Sequence, residues 1–253
     1  SLNGDINNIM NILLTGSDGF IGSHLYTHLK KLNHKVTSID IKSGNDLMDC
    51  PLDYHVDLVI HLAGLSGVRK SLDNPTEYWK QNVIAGQRLF ENFPETKVVY
   101  ASSSTAAEPW RNPYAMSKYS LEQIAEPYNA LGLRFTTVYG QNAPDTMLIP
   151  KILRNEVEHI NTNHSRDFIH VDDVLDAITT VMDTDLRGVI DVGTGQTNLL
   201  SSIVSEFQIE YTPVIGDEFE REDNLANINV LKNYGWSPKT DVFEYIKEHR
   251  NVN

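Results

Sequence analysis

Cysteine, long apolar runs and positive charge are scarce in this sequence of 253 residues. Its single cysteine, Cys50, excludes an internal disulfide bond and a cysteine-ligated metal site, and we expect it to be a small packing residue. No run approaches the roughly eighteen apolar residues of a membrane span, and no signal peptide is recognisable, so a cytoplasmic protein is expected. Because 21 basic residues face 34 acidic ones, the net charge of −13 argues against binding to nucleic acids or to anionic membranes.

The length of the chain and the spacing of its histidines indicate its domain size and argue against a metalloprotein. A chain of 253 residues can bury a sizeable core, as one domain or as one domain with a smaller lobe. None of its nine histidines stands in a ligand spacing such as H-E-x-x-H, so no metal site is predicted, and His61 is expected to fill the end of a strand. Residues 1–9 are polar and precede a natural-looking start at Met10, so we treat them as an expression-derived leader.

The most informative stretch is residues 15–25, which read T-G-S-D-G-F-I-G-S-H-L. An apolar run over residues 12–14 precedes it and apolar residues at helical spacing follow it, which predicts a strand, a glycine-rich turn and a helix. In such a unit Gly16 allows the tight turn, Gly19 lets the backbone approach a pyrophosphate, and Gly22 lets the helix pack closely. The helix N-terminus then offers free N–H groups to phosphates, whereas a turn that serves packing alone is the simpler alternative.

Strand-like runs alternate with helical patterns along most of the chain. This alternation predicts parallel strands joined by right-handed crossovers, and therefore an α/β fold with a Rossmann-like doubly wound sheet. The strands are predicted at residues 11–15, 35–40, 57–62, 97–102, 133–139 and 188–192. The helices are predicted at residues 20–32, 76–92, 114–131, 148–157, 171–182 and 241–249.

Beyond residue 140 the alternation loosens, which predicts a smaller lobe over the carboxyl ends of the strands, where sheets of this kind bind ligands. We expect residues 10–140 to form the nucleotide-binding domain, with residues 166–194 returning to it. Residues 141–165 and 195–253 are expected to form the smaller, substrate-binding lobe.

Asp40 ends the second predicted strand, in the region where a dinucleotide-binding sheet holds the adenosine ribose. A carboxylate there accepts hydrogen bonds from both ribose hydroxyls and repels a 2′-phosphate, so NAD is favoured over NADP. The alternative is an aspartate that only caps the strand-to-turn junction. Asp46 and Leu47 are weaker candidates to flank the adenine, with the Asp46 carboxylate accepting from the adenine amino group.

Tyr114 and Lys118 stand four residues apart near the start of a predicted helix, so their side chains share one face. The serine run of residues 102–104 ends the preceding strand at the carboxyl edge of the sheet. A tyrosine can shuttle protons if nearby positive charge, here the lysine ammonium and an oxidised nicotinamide, lowers its pKa. A serine hydroxyl would hold the substrate oxygen meanwhile. Alone, Y-x-x-x-K is usually a solvated helix face, but its position after this strand makes it more specific.

Motifs along nearly the whole chain, from Asn11 to about Lys239, follow one order and spacing. They are the stretch of residues 15–25, His61-Leu62-Ala63-Gly64, Val68-Arg69-Lys70-Ser71 with Asn74-Pro75 and Asn82, Ser102-Ser103-Ser104, Tyr114-Ala115-Met116-Ser117-Lys118, Leu133-Arg134-Phe135, Val138-Tyr139-Gly140, Arg166-Asp167-Phe168-Ile169-His170-Val171-Asp172-Asp173-Val174, Gly193-Thr194-Gly195 and Gly235-Trp236-Ser237-Pro238. On these residues the chain resembles the extended short-chain dehydrogenases/reductases, in particular the NAD-dependent epimerase/dehydratase family that acts on nucleotide sugars.

The resemblance implies a role for each matching residue. Tyr114 would be the catalytic base, Lys118 would bind the nicotinamide ribose, and Ser104 would contact the sugar hydroxyl. The cofactor-binding residues it implies, together with those argued above, are Gly16, Gly19, Phe20, Ile21, Gly22, Asp40, Asp46, Leu47, Leu62, Ala63, Gly64, Asn82, Tyr114 and Lys118. The substrate-binding residues are Ser104, Thr137, Arg166 and Arg221, of which Arg166 would grip the diphosphate of a nucleotide-diphosphate sugar.

Some of these assignments have plain alternatives. Arg166 can instead form a salt bridge to its neighbour Asp167 or to another carboxylate. Arg69 is better interpreted as a structural or dimer-side residue than as a ligand. The resemblance also implies a homodimer built on the helices at residues 76–92 and 114–131. Trp79, Phe90 and Phe93, at the first of these helices, are better interpreted as core or dimer packing than as a platform for a sugar.

The chain also departs from the family pattern. The segment between Ser104 and Tyr114 is short, and the asparagine usual near residues 136–137 is replaced, which puts one substrate contact in doubt. The arginine usual before Gly216 is replaced as well, and Arg221 is a weak candidate for its role. Pro127 should kink or end the catalytic helix. The segment from residue 40 to residue 57 is brief, so one crossover helix is expected to be missing or reduced.

Two classes of function remain open at this point. The first is an NAD-dependent nucleotide-sugar epimerase, most simply at C4, which works through a transient 4-keto intermediate without net redox. A 4,6-dehydratase needs an acid pair after the serine, which Thr105-Ala106 does not supply, and Asp40 opposes an NADPH-dependent reductase. The second class is a catalytically silent NAD-binding sensor or scaffold, which the short loop and Pro127 favour and the intact Tyr114 and Lys118 oppose.

Overall fold

A six-stranded parallel sheet forms the centre of the computed structural model, which describes residues 8–250. The strands lie in the order β10-β5-β4-β3-β1-β2 and every neighbouring pair is parallel. They are β1 (Asn11–Thr15), β2 (Lys35–Ile39), β3 (Leu58–His61), β4 (Lys97–Ser103), β5 (Ala130–Phe135) and β10 (Gly188–Val192). The expected α/β fold is therefore confirmed. Of the expected leader, only Asn8 and Ile9 lie among the described residues.

Ten α-helices are assigned within residues 8–250, together with three two-stranded ladders. The helices are α1 (Phe20–Lys31), α2 (Val68–Asp73), α3 (Pro75–Trp79), α4 (Ala85–Asn92), α5 (Pro113–Ala125), α6 (Leu148–Arg154), α7 (Val171–Val181), α8 (Leu200–Glu206), α9 (Asn229–Asn233) and α10 (Val242–His249). The smaller ladders pair β6 (Thr137–Tyr139) with β9 (Phe168–His170), β7 (His159–Asn161) with β12 (Thr212–Val214), and β8 (Ser165–Arg166) with β11 (Asn198–Leu199).

The inner strands of the sheet, β1, β3, β4 and β5, are buried on both faces, which explains their largely apolar runs in the sequence. Ile12 and Leu14 belong to one core cluster and Leu13, between them, belongs to the cluster on the other face. Side chains alternate across a strand, so one run of apolar residues serves both layers. Cys50 lies in the second cluster as a packing residue, as expected.

The chain reverses direction across the sheet at β1. From β1 it passes through α1 to β2 at one edge, and then returns to β3 on the other side of β1. The loops that leave β1 and β3 therefore diverge at the carboxyl edge, and ligands of open α/β sheets bind at such a point. Residues 40–57 hold only a short 3₁₀ helix (Ile41–Ser43), so the predicted reduction of one crossover is confirmed.

Several predicted boundaries were wrong. The helix predicted at residues 114–131 is α5, which ends at Ala125, two residues before Pro127. A proline lacks the N–H that would continue the helix, so the following residues are free to begin β5. The strand predicted at residues 133–139 is two strands, β5 and β6, of which only β5 joins the central sheet. The helix predicted at residues 76–92 is three pieces, α3, a π-helical turn (Lys80–Ile84) and α4, and α8 was not predicted.

A third apolar cluster lies apart from the two that cover the central sheet. It includes Ile152 of α6, Ile203 of α8 and Ile246 of α10, which are fully buried together. Tyr139 of β6 joins this cluster, so the segment that follows the central strand β5 connects the two parts of the molecule.

Candidate functional site

The glycine-rich turn between β1 and α1 is held by close backbone contacts. Gly16 has a positive φ of 74°, and a Cβ at this residue would lie 2.6 Å from the backbone nitrogen of Ala63. A Cβ on Gly22 would lie 1.9 Å from the carbonyl oxygen of Gly16. Only glycine fits either position, so the turn, the start of α1 and the loop after β3 form one compact unit. We call this unit, residues 16–22 with residues 62–64, the cradle.

The cradle has the features that a dinucleotide phosphate requires. Gly19 is the N-cap of α1 and has no side chain that could cap the helix. The first turn of α1 also contains no acidic residue. The first N–H groups of α1 are therefore available to an anion, and the helix dipole favours negative charge there. Phe20 and Ile21 pack against the core behind this turn. The cradle thus fits the pyrophosphate of NAD.

Asp40 lies beside the cradle as predicted, and it also makes the structural contacts of the alternative interpretation. Its carboxylate accepts hydrogen bonds from the backbone N–H of Asp18 at 2.9 Å and of Lys42 at 2.8 Å. One carboxylate oxygen takes each bond, and each oxygen has a further lone pair for a ribose hydroxyl. Asp40 therefore caps the junction and remains a candidate ribose ligand.

The two adenine candidates differ in position. The Asp46 carboxylate accepts from the backbone N–H of Met48 at 2.9 Å, and its residue is partly exposed. Leu47 is only 5% exposed and packs in the core beside Leu13 and Ile39. The structure thus explains Leu47 as a packing residue, and its contact with adenine stays a prediction.

The loop after β3 is fixed by one amide side chain. Asn82, on the π-helical turn, accepts from the backbone N–H of Leu65 at 2.7 Å and donates to its carbonyl oxygen at 2.9 Å. It also donates to the hydroxyl of Ser117 on α5 at 3.0 Å. Asn82 therefore locks residues 62–65 against the helix that carries Tyr114 and Lys118. It acts as a positioning residue of the cradle.

Tyr114 and Lys118 lie on one face of α5, with the lysine ammonium 6.0 Å from the centre of the tyrosine ring. Asn112 caps the helix by accepting from the backbone N–H of Ala115 at 2.7 Å, which fixes the start of α5. The ring of Tyr78 packs edge-on against that of Tyr114. The predicted pair is thus brought to the carboxyl end of β4.

The serine run shows a difference from the sequence prediction. The Ser103 hydroxyl lies close enough to the Tyr114 hydroxyl to lower its pKa, whereas the Ser104 hydroxyl faces Asn224, whose amide nitrogen lies 3.4 Å away. Neighbouring residues point to different sides of the backbone here, because Ser104 begins a 3₁₀ helix and Ser103 is its cap. Three serines in a row offered no way to choose among them without the fold.

The acid–base properties of the pair come mainly from burial. Burial raises the pKa of the Tyr114 hydroxyl, and the nearby Ser103 hydroxyl lowers it only in part, so the predicted lowering is not supplied by the chain alone. Burial lowers the pKa of Lys118 to about 8, with the Glu122 carboxylate acting in the opposite direction. Lys118 therefore remains mostly protonated at pH 7 and donates to the carbonyl oxygen of Ala101 at 3.1 Å.

His61 fills the end of β3, as predicted. Its Nδ1 lies 2.7 Å from the Thr15 hydroxyl, and burial, followed by the charge of Lys118, lowers its pKa to about 3. The imidazole is therefore neutral at physiological pH and belongs to the packing beneath the cradle. Within residues 8–250, no group of three or more histidine, cysteine, aspartate or glutamate side chains is arranged to hold a metal ion.

A buried ion pair behind the serines was not predicted. Glu122, one turn after Lys118, receives two bonds from the Arg134 guanidinium, at 2.8 and 2.7 Å, and one from the Ser102 hydroxyl at 2.6 Å. The pair ties α5 to β4 and β5. It therefore holds the helix of Tyr114 and Lys118 against the strand that carries Ser103.

Four arginines gather at the other end of the site: Arg69, Arg111, Arg166 and Arg221. Arg166 lies 3.6 Å from a Glu220 carboxylate oxygen, and the alternative partner Asp167 is occupied elsewhere, by the backbone N–H groups of Thr194 and Gly195. Arg221 donates to Glu108 and to the carbonyl oxygen of Ser104. We call these four residues the arginine cluster.

His164 lies buried beside Arg166 and is neutral. Its Nδ1 is 3.3 Å from two nitrogen donors, on Asn161 and Arg166, so Nδ1 accepts and the proton resides on Nε2. Burial, together with the charge of Arg166, lowers its pKa. A Cβ on Gly216 would lie 2.2 Å from the His164 ring, so the chain can pass this ring only with a glycine.

Asn224 joins the two ends of the site, and no sequence pattern marked it. Its amide nitrogen lies 3.2 Å from the hydroxyl of Thr137, a predicted substrate residue, and its oxygen accepts from the backbone N–H of Asp167 at 2.7 Å. With the Ser104 contact, it connects three segments far apart in the sequence. Only the fold brings these segments together.

Comparisons with known proteins agree with this geometry. The model of the NAD dependent epimerase/dehydratase family matches residues 12–193. A putative UDP-glucose 4-epimerase of Methanocaldococcus jannaschii is 28% identical, over 93% of this chain and 96% of the relative. No helix among the described residues is both long and apolar enough to cross a membrane.

Two solved structures superpose along nearly the whole chain. MoeE5 in complex with UDP-glucose and NAD has a TM-score of 0.83 at 27% identity, covering 94% of this chain and 97% of that one. The UDP-N-acetylglucosamine 4-epimerase from Methanobrevibacter ruminantium M1, in complex with UDP-N-acetylmuramic acid, has a TM-score of 0.81 at 27% identity, covering 96% and 97%. With the family match over most of its length, this chain belongs to the NAD-dependent epimerase/dehydratase family and is an enzyme with NAD as its cofactor.

Proposed function

We propose that this enzyme is a nucleotide-sugar epimerase that inverts the configuration at C4. The observation that carries the proposal is the arrangement of Tyr114, Ser103 and Lys118 at the carboxyl end of β4 beside the cradle. A relative and a structural neighbour with 4-epimerase in their names support the choice of carbon. We propose as well that residues 10–140 with 166–194 form the NAD-binding domain and that residues 141–165 and 195–253 form a smaller lobe that completes the site for the sugar nucleotide.

Each residue of the arrangement has a distinct task. Tyr114 takes the proton of the C4 hydroxyl and later returns it, while Ser103, in the role first expected for Ser104, holds that oxygen through its hydroxyl. Lys118 supplies a positive charge and a donor beside the tyrosine. NAD held by the cradle would supply the hydride acceptor, and afterwards the hydride donor, for C4, so that no net redox would result.

The other end of the substrate is assigned to the arginine cluster. Arg166 is the proposed ligand of the diphosphate, because a planar guanidinium can donate two parallel hydrogen bonds to phosphate oxygens. Asn224 contacts Ser104, Thr137 and the backbone of Asp167, the neighbour of Arg166, so the sugar would lie along this residue. Arg221 stays a candidate second ligand, although Glu108 already pairs with it.

A panel of nucleotide sugars tests the proposal. The protein is incubated with NAD and each of the UDP, GDP, dTDP and CDP sugars, and the products are separated by mass-resolved chromatography. A new peak of unchanged mass, without accumulation of NADH, is the expected result. Loss of one water would instead identify a dehydratase, and net oxidation or reduction would identify a reductase.

The silent NAD-binding sensor remains the second candidate, because the segment between Ser104 and Tyr114 is short. Its signature is bound NAD with no conversion and no measurable affinity for any sugar nucleotide in the panel. The buried Lys118 opposes the sensor hypothesis. Burial lowers its pKa to about 8, and a protein that only binds NAD gains nothing from the free-energy cost of burying this charge.

A homodimer is the proposed assembly, and the cytoplasm is the proposed compartment. Trp79 and Ile84 on the α3–α4 side and Met116 and Tyr119 on α5 leave large apolar surface exposed. Exposed apolar groups on neighbouring helices fit a partner surface better than solvent. Light scattering on the eluted protein tests this, and a monomeric mass would contradict the dimer.

A further inference from the structure

An acidic segment crosses the arginine cluster. Residues 217–222 read D-E-F-E-R-E, and we call them the acidic strap. The strap follows Gly216, which passes the buried His164 ring, and it ends two residues before Asn224. The strap therefore runs from the His164 ring, beside Arg166, toward Asn224, which contacts Ser104.

Glu220 is the centre of the strap's contacts. One carboxylate oxygen accepts from Arg69 Nε at 3.2 Å, and the other lies 3.6 Å from Arg166 Nη2. A single anionic group thus bridges two arginines that are 97 positions apart in the sequence. Asp217 also pairs with Arg69, at 2.5 Å.

The strap backbone also contacts the cluster and the start of the catalytic helix. Arg111 donates to the carbonyl oxygens of Glu218 at 2.8 Å and Glu220 at 3.2 Å, and Asn112 donates to that of Phe219 at 2.8 Å. Asn112 is the N-cap of α5 and precedes Tyr114 by two positions, so the strap contacts the chain close to the proposed catalytic tyrosine. The backbone bonds hold the strap in place without the Glu220 carboxylate.

We propose that Glu220 is a built-in occupant of a two-arginine anion site, and that Arg69 joins Arg166 in binding the substrate diphosphate when Glu220 is displaced. This inference rests on the proposed function, since it adds a ligand to the same site. It also changes the role of Arg69, which the sequence indicated to be structural.

The charges of the cluster support the exchange. The four arginines face four carboxylates, those of Glu108, Asp217, Glu220 and Asp223, so the cluster is close to neutral while Glu220 is in place. Release of Glu220 leaves about one excess positive charge, which favours an incoming phosphate group. A diphosphate replaces one bridging anion by another, so the partly buried Arg166 keeps an anionic partner and the exposed Arg69 gains a second one beside Asp217. His164 is neutral and does not alter this balance.

Binding of UDP to the full-length protein, measured by calorimetry, tests the inference, with GDP, CDP and dTDP as alternative probes. Glu220→Gln keeps the size of the side chain and removes the competing charge, so UDP binding should tighten about 2- to 5-fold. Arg69→Gln should weaken it by at least a similar factor. Glu218→Gln and Lys70→Gln are the matched controls, because they remove an exposed charge beside each site, and they should leave the affinity unchanged.

The outcomes separate this inference from the proposed function. If UDP binding depends on Arg166 but is indifferent to both Glu220→Gln and Arg69→Gln, the two-arginine site is wrong and the epimerase proposal stands. Weaker binding in Glu220→Gln would make Glu220 a structural partner of the arginines and would also overturn the inference. If the wild-type protein binds none of the four nucleotides, the proposed function fails, and the inference fails with it.

Discussion

The cradle and the arginine cluster differ in what holds them in place. The cradle consists of backbone: glycines at residues 16 and 22 allow contacts that no side chain would permit, and the N–H groups of α1 face outward. The arginine cluster consists of long charged side chains from four distant segments, paired with carboxylates that they can exchange. One end of the site is therefore rigid and formed in advance, whereas the other is occupied by the chain's own acidic strap.

This difference matters for how each end can bind. A backbone cradle discriminates by shape, because its donors are fixed when the fold forms. An ion-pair cluster discriminates by charge, because any anion of suitable size can compete for its guanidinium groups. Tyr114 and Lys118 lie where the two ends meet, so variants at the cradle, at this pair and at the cluster should have different effects.

The largest effect is expected for Tyr114→Phe. This change removes the proton-transfer group and leaves both ends of the site intact, so turnover should fall by roughly 10³-fold or more while NAD and nucleotide affinities stay unchanged. Tyr119→Phe, on the exposed face of the same helix, is the control and should be fully active. An active Tyr114→Phe enzyme would show that another group transfers the proton.

Gly22→Ala should break the rigid end alone. The added Cβ would lie 1.9 Å from the Gly16 carbonyl oxygen, so either α1 or the turn must move. We expect a loss of about 3 kcal/mol in the free energy of unfolding and much weaker NAD binding, measured by denaturation and by calorimetry. Gly19→Ala has a single contact, at 3.2 Å, and should cost far less stability. Equal stability losses for the two variants would contradict the close-packing account.

Lys118→Met probes the junction between the two ends. The folded protein releases the Lys118 proton at a pKa of about 8, whereas the unfolded chain holds it up to about 10.5, so wild-type stability rises with pH between these values. At pH 7 the methionine variant, although inactive, should be more stable by about 2–3 kcal/mol. The difference in unfolding free energy should shrink as the pH rises from 8 toward 10. A constant difference would show that burial does not shift this lysine.

The smallest effect is a difference in salt dependence. Raising the salt concentration from about 50 mM to about 500 mM screens exposed guanidinium groups, so UDP affinity should fall several-fold. NAD affinity should fall less, because backbone N–H groups close to the phosphates supply its donors. Calorimetric titration of both ligands at the two concentrations measures this. An equal decline for the two ligands would remove the proposed contrast.

The sequence predicted the cradle well because its features are local. Glycine spacing, an apolar strand and helical periodicity are local, and a backbone turn leaves its requirements in consecutive residues such as 15–25. The pair Tyr114 and Lys118 was also readable, because helical spacing alone places them on one face. Pro127 marked the end of α5, although the predicted helix ran on to residue 131 and so took in the first two residues of β5.

The other end was only partly readable. Arg166 was recognised as a candidate, but its partner Glu220, the connecting residue Asn224 and the buried pair Glu122–Arg134 carry no local signal of their contacts. The choice of Ser103 over Ser104 depends on where β4 ends and a 3₁₀ helix begins. Such boundaries are set by tertiary packing and not by residue type.

Residues close together in the chain were enough to predict the α/β class, the nucleotide cradle, the family and the tyrosine–lysine pair. The position of Ser103 beside Tyr114 and the course of the acidic strap across the arginines became visible in the fold alone. Those contacts join residues up to about 150 positions apart, such as Arg69 and Glu220. Whether two residues so far apart meet depends on how the whole core packs. A long-range side-chain pair of this kind therefore leaves no local pattern in the sequence.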